Sequence, residues 1–422
     1  MRKATLAALT ALLVAPTATA HALPPLPRHW PSHRLQLGLA DSPGGAAALR
    51  RSAPFGFRYQ YLAGGVNTGN GWATWNPDGA FVTIYVRESL AARVTPVFTY
   101  YMLQQSKPGG GSEGSTIATN LQDVSTMKAF WADLTLFFER AGAFRRPVVL
   151  HVEPDLWGYV EQAARADDAA TVPAKVGASG NPDLVGLPDT VSGFAQAIVR
   201  LRDRYAPNVI LAYHLSVWGT KVDIALQDPP DSEVRALGDR AARFYRSLRA
   251  RFDLTFAEFS DRDSAFKQYI YGDHGASWWN AADFARNERF LSRYSKVAHQ
   301  RLAMWQIPLG NTVMRAMNDS WGHYQDNRVQ WLLSDRGYRH LRRYARAGVI
   351  ALLFGGGADG TTCACDARHD GVTNPAPIGH NTRRSSSADD DGGYFRSRAR
   401  AYYLPTQPLR HGGGHGALKL PR

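Results

Sequence analysis

Short apolar runs alternate with longer segments of helical period along almost the whole chain. Eight of these runs are rich in branched and aromatic residues and predict strands, over residues 35–40, 57–62, 94–100, 148–153, 209–216, 254–258, 302–307 and 349–354. Between them, apolar residues recur at steps of three and four, which is the spacing of one face of an amphipathic helix. The pattern therefore predicts eight strand-then-helix units.

Two apolar stripes give the clearest helices. One predicts a single helix that ends near Gly142, where a glycine C-cap is expected, and it consists of Leu121, Val124, Met127, Trp131, Leu134 and Phe138. The other follows Asp189, a candidate N-cap, and consists of Val191, Phe194, Ile198, Leu201 and Tyr205. The eighth helix is predicted over residues 394–404.

Eight such units favour a (β/α)8 TIM-type barrel in a single domain over residues 23–404. An open doubly wound sheet would alternate in the same way. However, the turn after the first strand reads Asp41-Ser42-Pro43-Gly44-Gly45, which is not the Gly-rich phosphate turn of a dinucleotide site. Residues 405–422 include a run of three glycines and are expected to form a flexible C-terminal tail.

The first 22 residues have the layout of a secretory signal peptide. Arg2 and Lys3 precede an apolar stretch over residues 4–15, and either Ala18-Thr19-Ala20 or Ala20-His21-Ala22 offers a small-residue cleavage site. The alternative is a buried N-terminal helix. No later segment reaches the roughly 18 unbroken apolar residues of a membrane-spanning helix. We therefore expect an exported protein, extracellular or periplasmic, without a membrane span.

Composition narrows the class of protein further. In a chain of 422 residues, 44% hydrophobic and 20% charged residues exclude wholesale disorder, and two cysteines exclude a disulfide-built scaffold. The formal net charge of +13 raises the question of nucleic acid. The basic residues are scattered without a compact run, so we expect no nucleic-acid partner. Adhesion to an acidic envelope or polysaccharide stays open.

In barrels of this type the functional residues lie at the C-terminal ends of the strands and in the loops that follow. These ends combine carboxylates, histidines and indoles, a mixture that suits a carbohydrate substrate. Cleavage of a glycosidic bond needs two carboxyl groups, one to protonate the leaving oxygen and one to act as base or nucleophile. The candidates for this pair are Glu153 or Asp155 after the fourth strand and Glu258 at the end of the sixth.

Period-two alternation indicates which side chains point into the barrel. In the fourth strand it puts Val149, His151 and Glu153 inward, and in the fifth it puts Ala212, His214 and Ser216 inward. The sixth strand shows no clear inward face. Glu153→Gln is then expected to lower turnover by orders of magnitude, unless Glu153 forms a structural ion pair instead.

Further residues near the strand ends are candidate substrate contacts. Indole faces stack on sugar rings, and imidazole, amide and hydroxyl groups bond to sugar hydroxyls. The alternatives are an ordinary aromatic core, a satisfied interior histidine and solvated loop aspartates. These candidates are Tyr100, His151, Trp157, His214, Trp218, Asp261, Trp305, Gln306, Asn311 and Asp359.

The segment Val152-Glu153-Pro154-Asp155 resembles two kinds of glycoside hydrolase barrel. Its Glu-Pro pair is similar to the Asn-Glu-Pro motif of the large retaining clan, whose Glu is the acid/base. The clan's nucleophilic Glu on strand seven is replaced here by Trp305-Gln306, which argues against membership.

Glu-Pro-Asp is also similar to a segment of glycoside hydrolase family six, which implies that Asp155 is the proton donor. Gly356-Gly357-Ala358-Asp359-Gly360-Thr361 resembles that family's Gly-Gly-Glu-Cys-Asp-Gly-Thr stretch. The resemblance implies a glycoside hydrolase barrel and leaves its family unassigned.

No cofactor and no metal are predicted. Asp359, Asp366 and Asp370 do not have EF-hand spacing, and the glycine-rich loop over residues 64–72 lacks the Gly-Lys-Ser/Thr of a P-loop. The leading hypothesis is a secreted glycosidase with a carbohydrate substrate. The alternative is a non-catalytic glycan- or envelope-binding barrel. The glycan, the stereochemical outcome, a Cys363–Cys365 bond and the oligomeric state stay open.

Overall fold

The computed structural model describes residues 22–259, 263–315, 326–355, 383–384, 393–404 and 416–421. Eight parallel strands close into a barrel in sequence order, and the last strand pairs with the first. The strands are β1 (Gln36–Ala40), β2 (Phe57–Leu62), β3 (Thr95–Tyr100), β4 (Val148–Val152), β5 (Val209–Leu215), β6 (Leu254–Glu258), β7 (Leu302–Pro308) and β8 (Val349–Gly355). The predicted (β/α)8 barrel is confirmed.

Helices follow the strands and cover the outside of the barrel. They are α1 (Ala46–Ser52), α2 (Ala80–Ala91), α3 (Glu113–Gln122), α4 (Val124–Gly142), α5 (Leu156–Ala163), α6 (Val191–Tyr205), α7 (Asp231–Ser247), α8 (Ser264–Phe266), α9 (Ala281–Ala298), α10 (Arg328–Leu333), α11 (Arg339–Arg346) and α12 (Tyr394–Tyr403). Among the described helices, none has both the length and the apolar character needed to cross a membrane.

Two apolar layers hold the barrel together, because successive residues of a strand point to opposite faces. The interior layer includes Val149, Ile210 and Phe256, and the outer layer, between strands and helices, includes Leu150 and Leu211. This alternation is the one predicted for β4 and β5. Burial of both layers supplies the main stabilising free energy, at about 25 cal/mol per Å² of apolar surface.

Gly38 marks a tight point of the barrel interior. A Cβ atom there would lie 2.4 Å from Leu353 Cδ2 and 2.9 Å from Phe57 Cβ. Because a side chain here would force both neighbours to shift, the close packing of β1 against β2 and β8 favours glycine at this position.

The first predicted helix is in fact two helices. Asp123 breaks the apolar stripe with an extended backbone, and its side chain accepts a hydrogen bond from Thr126 N, so that it caps α4. Leu121 belongs to α3, and Val124 is 45% exposed. The cap of α6 is Thr190, whose side chain accepts from Gly193 N, while Asp189 accepts from Val176 N and Ala178 N.

Part of the predicted flexible tail packs against the N-terminal end of the barrel. Leu35 N donates to Leu418 O at 2.8 Å, and Leu420 N donates to His33 O at 3.0 Å. The Arg301 guanidinium donates to Pro421 O at 3.0 Å. Residues 416–421 therefore close the base of the barrel, which corrects the expectation of a loose end for these six residues. Residues 1–21 of the predicted signal peptide lie outside the described residues.

Candidate active site

A cavity of about 280 Å³ opens at the C-terminal rim of the barrel. Its lining comes from the ends of β4 and β6, the loop after β5 and the segments around α8 and α10. The lining includes Asp155, Trp218, Glu258, Lys267, Trp279 and Arg328. This is the rim on which (β/α)8 barrels carry their functional groups.

Asp155 reaches the cavity through an unusual turn. Leu156 N donates to Pro154 O at 2.8 Å, and Asp155 between them has φ 67° and ψ −43°. This is a γ-turn with positive φ, which is rare and strained for a residue with a side chain, at a cost of about 1–3 kcal/mol. Asp155 also precedes the first turn of α5, where the helix dipole stabilises negative charge.

Glu258 is the last residue of β6 and points inward, in the same register as Leu254 and Phe256 below it. Its side chain is 8% exposed and lines the cavity. The sequence left the inward face of this strand undecided, because Leu254, Phe256 and Ala257 are all apolar.

Asp155, Glu258 and His214 converge at the bottom of the cavity. One oxygen of each carboxyl group and one nitrogen of His214 lie within 4.8 Å of one another. His214 Nε2 is 3.9 Å from Glu258 Oε1 and has no hydrogen-bond partner among the described residues. These three side chains could hold a divalent metal ion, because a carboxylate–imidazole set is an ordinary transition-metal donor set.

Two hydrogen-bonded histidines lie inside the barrel, and one of them, His214, is close to Glu258. His151 Nε2 and His214 Nδ1 share a hydrogen bond of 3.0 Å, and His151 Nδ1 lies 3.3 Å from Thr99 Oγ1. Burial, together with the neighbouring His214, holds the pKa of His151 well below its usual value. His151 is therefore neutral. Both rings lie beneath the cavity rather than on its wall.

Glu153 lies outside the cavity, contrary to the inward position expected from alternation. Its backbone has φ 49°, so the strand period ends at Val152. The side chain is fully buried, and Oε1 accepts hydrogen bonds from Met102 N and Leu103 N at 3.1 and 3.0 Å. Burial raises the pKa of Glu153 to about 8, although these two hydrogen bonds oppose the shift. Glu153 therefore holds the loop after β3 in place. Asp155, instead of Glu153, occupies the position at the cavity that was expected for Glu153.

Trp157 and Tyr100 belong to the outer core. Trp157 is fully buried, its Nε1 donates to Val152 O at 2.8 Å, and its ring packs against Tyr213 at 5.0 Å. Tyr100 is also fully buried, and its hydroxyl donates to Asp133 Oδ1 at 2.5 Å. Neither of these two residues lines the cavity, so the structure gives no support for their predicted contact with substrate.

Of the remaining candidates, some line the cavity wall, some are buried in the interior, and two lie outside the described residues. Trp218 lines the cavity, with its ring 4.8 Å from that of Tyr159. Trp305, Gln306 and Asn311 are buried and do not line it. Their bonds are internal, since Tyr61 OH donates to Gln306 Oε1 and Val313 N donates to Asn311 Oδ1. Asp261 and Asp359 lie outside the described residues.

Several cavity residues were missed from the sequence. Glu113 begins α3 after the loop that follows β3, and Asp223 lies in the loop that follows β5. Burial and the nearby Glu258 raise the pKa of Asp223, and Lys267 opposes this shift. Both carboxylates lie beyond the strand ends, Glu113 at the first residue of α3 and Asp223 in a loop. An inspection of whole loops for acidic residues, rather than of strand ends alone, would have found them.

A buried ion pair supports the part of the cavity wall that contains Trp279. Arg328 Nη1 donates to Asp326 Oδ2 at 2.7 Å and to Ser264 Oγ at 2.8 Å, and the guanidinium lies 4.9 Å from the Trp279 ring. Burial raises the pKa of the adjacent Asp263 well above its usual value. The network holds Trp279 in place, and the charge of Arg328 is compensated by Asp326.

No protein-family model and no curated sequence matches the chain. Similar solved structures include a modular endo-β-1,4-mannanase from Cellulomonas fimi, with 12% identity, a TM-score of 0.49, and coverage of 89% of this chain and 71% of that one. A glycoside hydrolase family 26 β-mannanase from Bacteroides ovatus has 12% identity, a TM-score of 0.41 and coverage of 91% and 95%.

A family 1 β-glucosidase from Thermotoga maritima has 11% identity, a TM-score of 0.42 and coverage of 74% and 75%. At such identities and scores the likeness concerns the fold alone. The expected resemblance to glycoside hydrolase family six finds no support in these structures. The chain is similar in fold to glycoside hydrolases built on a (β/α)8 barrel, and its family stays unassigned.

Proposed function

We propose that the protein is a glycoside hydrolase in which Asp155 and Glu258 form the catalytic carboxyl pair. The observation that carries this proposal is their convergence, with oxygens within 4.8 Å, in a cavity walled by Trp218 and Trp279. Two facing carboxyl groups and aromatic walls are what hydrolysis of a glycosidic bond requires.

The separation of the carboxyl groups supports a retaining mechanism. Retaining enzymes hold them about 5–5.5 Å apart, whereas inverting enzymes leave about 6.5–9.5 Å for a water molecule. The oxygens of Asp155 and Glu258 lie within 4.8 Å. A second carboxylate at this distance reaches the anomeric carbon directly, so it acts as a nucleophile.

We assign the nucleophile to Asp155 and the acid/base to Glu258. Asp155 is held at a strained turn at the start of α5, where negative charge is stabilised. Glu258 protonates the leaving oxygen while an Asp155 oxygen bonds to the anomeric carbon. Glu258 then takes a proton from water, whose oxygen displaces Asp155 and releases the sugar.

A second candidate function is metal-assisted hydrolysis. It is favoured by the His214 Nε2 atom, which is buried and lacks a hydrogen-bond partner among the described residues. A divalent ion bound by His214, Asp155 and Glu258 would supply a metal-activated water to the reaction. The non-catalytic glycan-binding barrel would need no paired carboxyl groups, which weighs against it.

Release of reducing sugar from a panel of polysaccharides tests the proposal. Asp155→Asn and Glu258→Gln should each lower kcat by about 10²–10⁴-fold. With an activated aryl glycoside and azide, the Glu258 variant should yield a glycosyl azide of retained configuration and the Asp155 variant one of inverted configuration. Proton NMR of the first-formed sugar should show retention for the wild type.

Glu161→Gln is the matched control. Glu161 is a buried carboxyl group on α5 that does not line the cavity, and burial raises its pKa to about 8. Because the group is mostly protonated at pH 7, the amide should leave kcat within about twofold. Equal losses in this control and in the Asp155 variant would indicate general damage to the fold and contradict the assignment.

A further inference from the structure

The charge of the cavity is opposite to that of the protein as a whole. The chain carries a formal net charge of +13. In the described lining, four carboxyl groups face two cations, and one of these cations, Arg328, is already compensated by Asp326 at 2.7 Å. The carboxyl groups are those of Glu113, Asp155, Asp223 and Glu258. A strongly basic protein thus presents an acidic binding cavity.

The carboxylate of Glu113 accepts hydrogen bonds from two neutral donors, both of them tyrosine hydroxyls. Its Oε1 accepts a hydrogen bond from Tyr101 OH at 2.7 Å, and its Oε2 accepts one from Tyr159 OH at 3.1 Å. Burial and Glu113 raise the pKa of Tyr159 to about 12, so this phenol keeps its proton. No ion pair to Glu113 is present among the described residues.

Asp223 lies on the Glu258 side of the cavity, since Glu258 acts on its pKa, whereas the two tyrosines that bind Glu113 lie near Asp155. Asp223 Oδ1 accepts from Ala225 N at 2.8 Å, which fixes the carboxylate at the cavity wall. Glu258 is more than nine-tenths buried, and its nearest partner in an ion pair is His214 at 3.9 Å, beyond hydrogen-bond length. Within the described part of the chain, these carboxyl oxygens line the cavity with acceptor capacity that these contacts do not fill.

A buried hydroxyl and two indoles show that the missing partner is more than a simple ion. Ser277 Oγ is buried in the cavity wall and has no hydrogen-bond partner among the described residues. The indoles of Trp218 and Trp279 add apolar surface to the same wall. A ligand that suits this cavity would carry a cation for the carboxylates, hydroxyl groups for the polar wall and an apolar ring face for the indoles. A sugar with a protonated amine combines all three.

We infer that the cavity selects glycans of amino sugars with free, protonated amines. This inference rests on the proposed function, and it assigns Glu113 to the amine of the sugar on the Asp155 side and Asp223 to the amine on the Glu258 side. A hydrogen bond to a charged group contributes about 1.5–3 kcal/mol, so each contact corresponds to about 10- to 100-fold in kcat/KM.

The test compares oligomers of glucosamine and galactosamine with their fully N-acetylated counterparts at pH 6, where an amine with a pKa near 8 is protonated. The wild type should cleave the free-amine oligomer with kcat/KM at least about tenfold above the acetylated one. Asp223→Asn and Glu113→Gln should each reduce this preference, because the amides keep the shape of the side chain and the acceptor oxygen but lose the charge.

Glu233→Gln is the matched control, since Glu233 is an exposed carboxylate on α7 outside the cavity, and it should leave the preference unchanged. Equal kcat/KM for free and acetylated oligomers would overturn the inference and leave the glycosidase proposal intact. If no glycan is cleaved, the glycosidase proposal fails. In that case, isothermal calorimetry with the same oligomers tests the inference. Tighter binding of the free-amine oligomer supports it, and equal affinity for the two forms, or no binding of either, overturns it.

Discussion

Glu153→Gln separates a catalytic role for Glu153 from a positioning role. The carboxyl group is fully buried, its pKa is raised to about 8, and it accepts hydrogen bonds from Met102 N and Leu103 N. At pH 7 it is mostly protonated. The amide keeps the accepting oxygen and the shape, so kcat should stay within about threefold of the wild-type value. A catalytic acid would instead lose about 10²–10⁴-fold.

The same substitution should change how stability depends on pH. The unfolded chain ionises this group near 4.5 and the folded chain near 8, so the folded state binds the extra proton between these values. Its contribution to the free energy of unfolding is fully present below pH 4.5 and falls by about 1.4 kcal/mol per pH unit as the pH rises towards 8. Over the interval the loss is at most about 5 kcal/mol.

Urea unfolding at pH 5, 6, 7 and 8 measures this slope. Glu153→Gln should be close to the wild type at pH 5, and it should be more stable at pH 8, because the amide never ionises. Part of the slope should survive in the variant, since burial raises the pKa of Glu161 to about 8 as well. A large loss of kcat with an unchanged pH profile of stability would refute the positioning role and restore the catalytic one.

Three further outcomes follow from the site and the barrel. Asp155→Gly should abolish turnover and raise the free energy of unfolding by about 1 kcal/mol in urea titrations, because glycine adopts φ 67° without strain. Treatment with EDTA should leave kcat unchanged, and a loss of kcat that zinc restores would favour metal-assisted hydrolysis. Gly38→Ala should lower the unfolding free energy by about 1–3 kcal/mol, because its Cβ would lie 2.4 Å from Leu353 Cδ2; an unchanged urea midpoint would contradict the packing argument.

The barrel could be predicted because each strand has its own apolar run. The inward-facing residues of β4 were predicted as far as His151, because Val149 and His151 follow the period-two alternation of the strand. The prediction failed at Glu153, one residue beyond the strand, where φ changes sign. Period-two reasoning holds only while the backbone is extended, and the functional rim of a barrel begins where it is not.

The loops were less predictable for a related reason. Glu113 and Asp223 reach the cavity from connections without a repeating pattern, so no periodicity indicates which way their side chains point. Gln306 shows the same effect within β7, where a positive φ of 50° accompanies a shift of register against β8. Such positions are set by tertiary contacts, as the two tyrosine hydroxyls on Glu113 illustrate.

The turn at Asp155 also decides how far apart the two proposed catalytic carboxyl groups lie. β4 and β6 are separated by β5, so their backbones are about 10 Å apart at ordinary strand spacing. Glu258 projects inward from its strand, and Asp155 closes the remaining distance only because the γ-turn after Pro154 directs it over His214 on β5. A relaxed turn would leave room for a water molecule between the carboxyl groups. The local backbone of one residue, rather than the barrel itself, therefore favours retention over inversion in the proposed reaction.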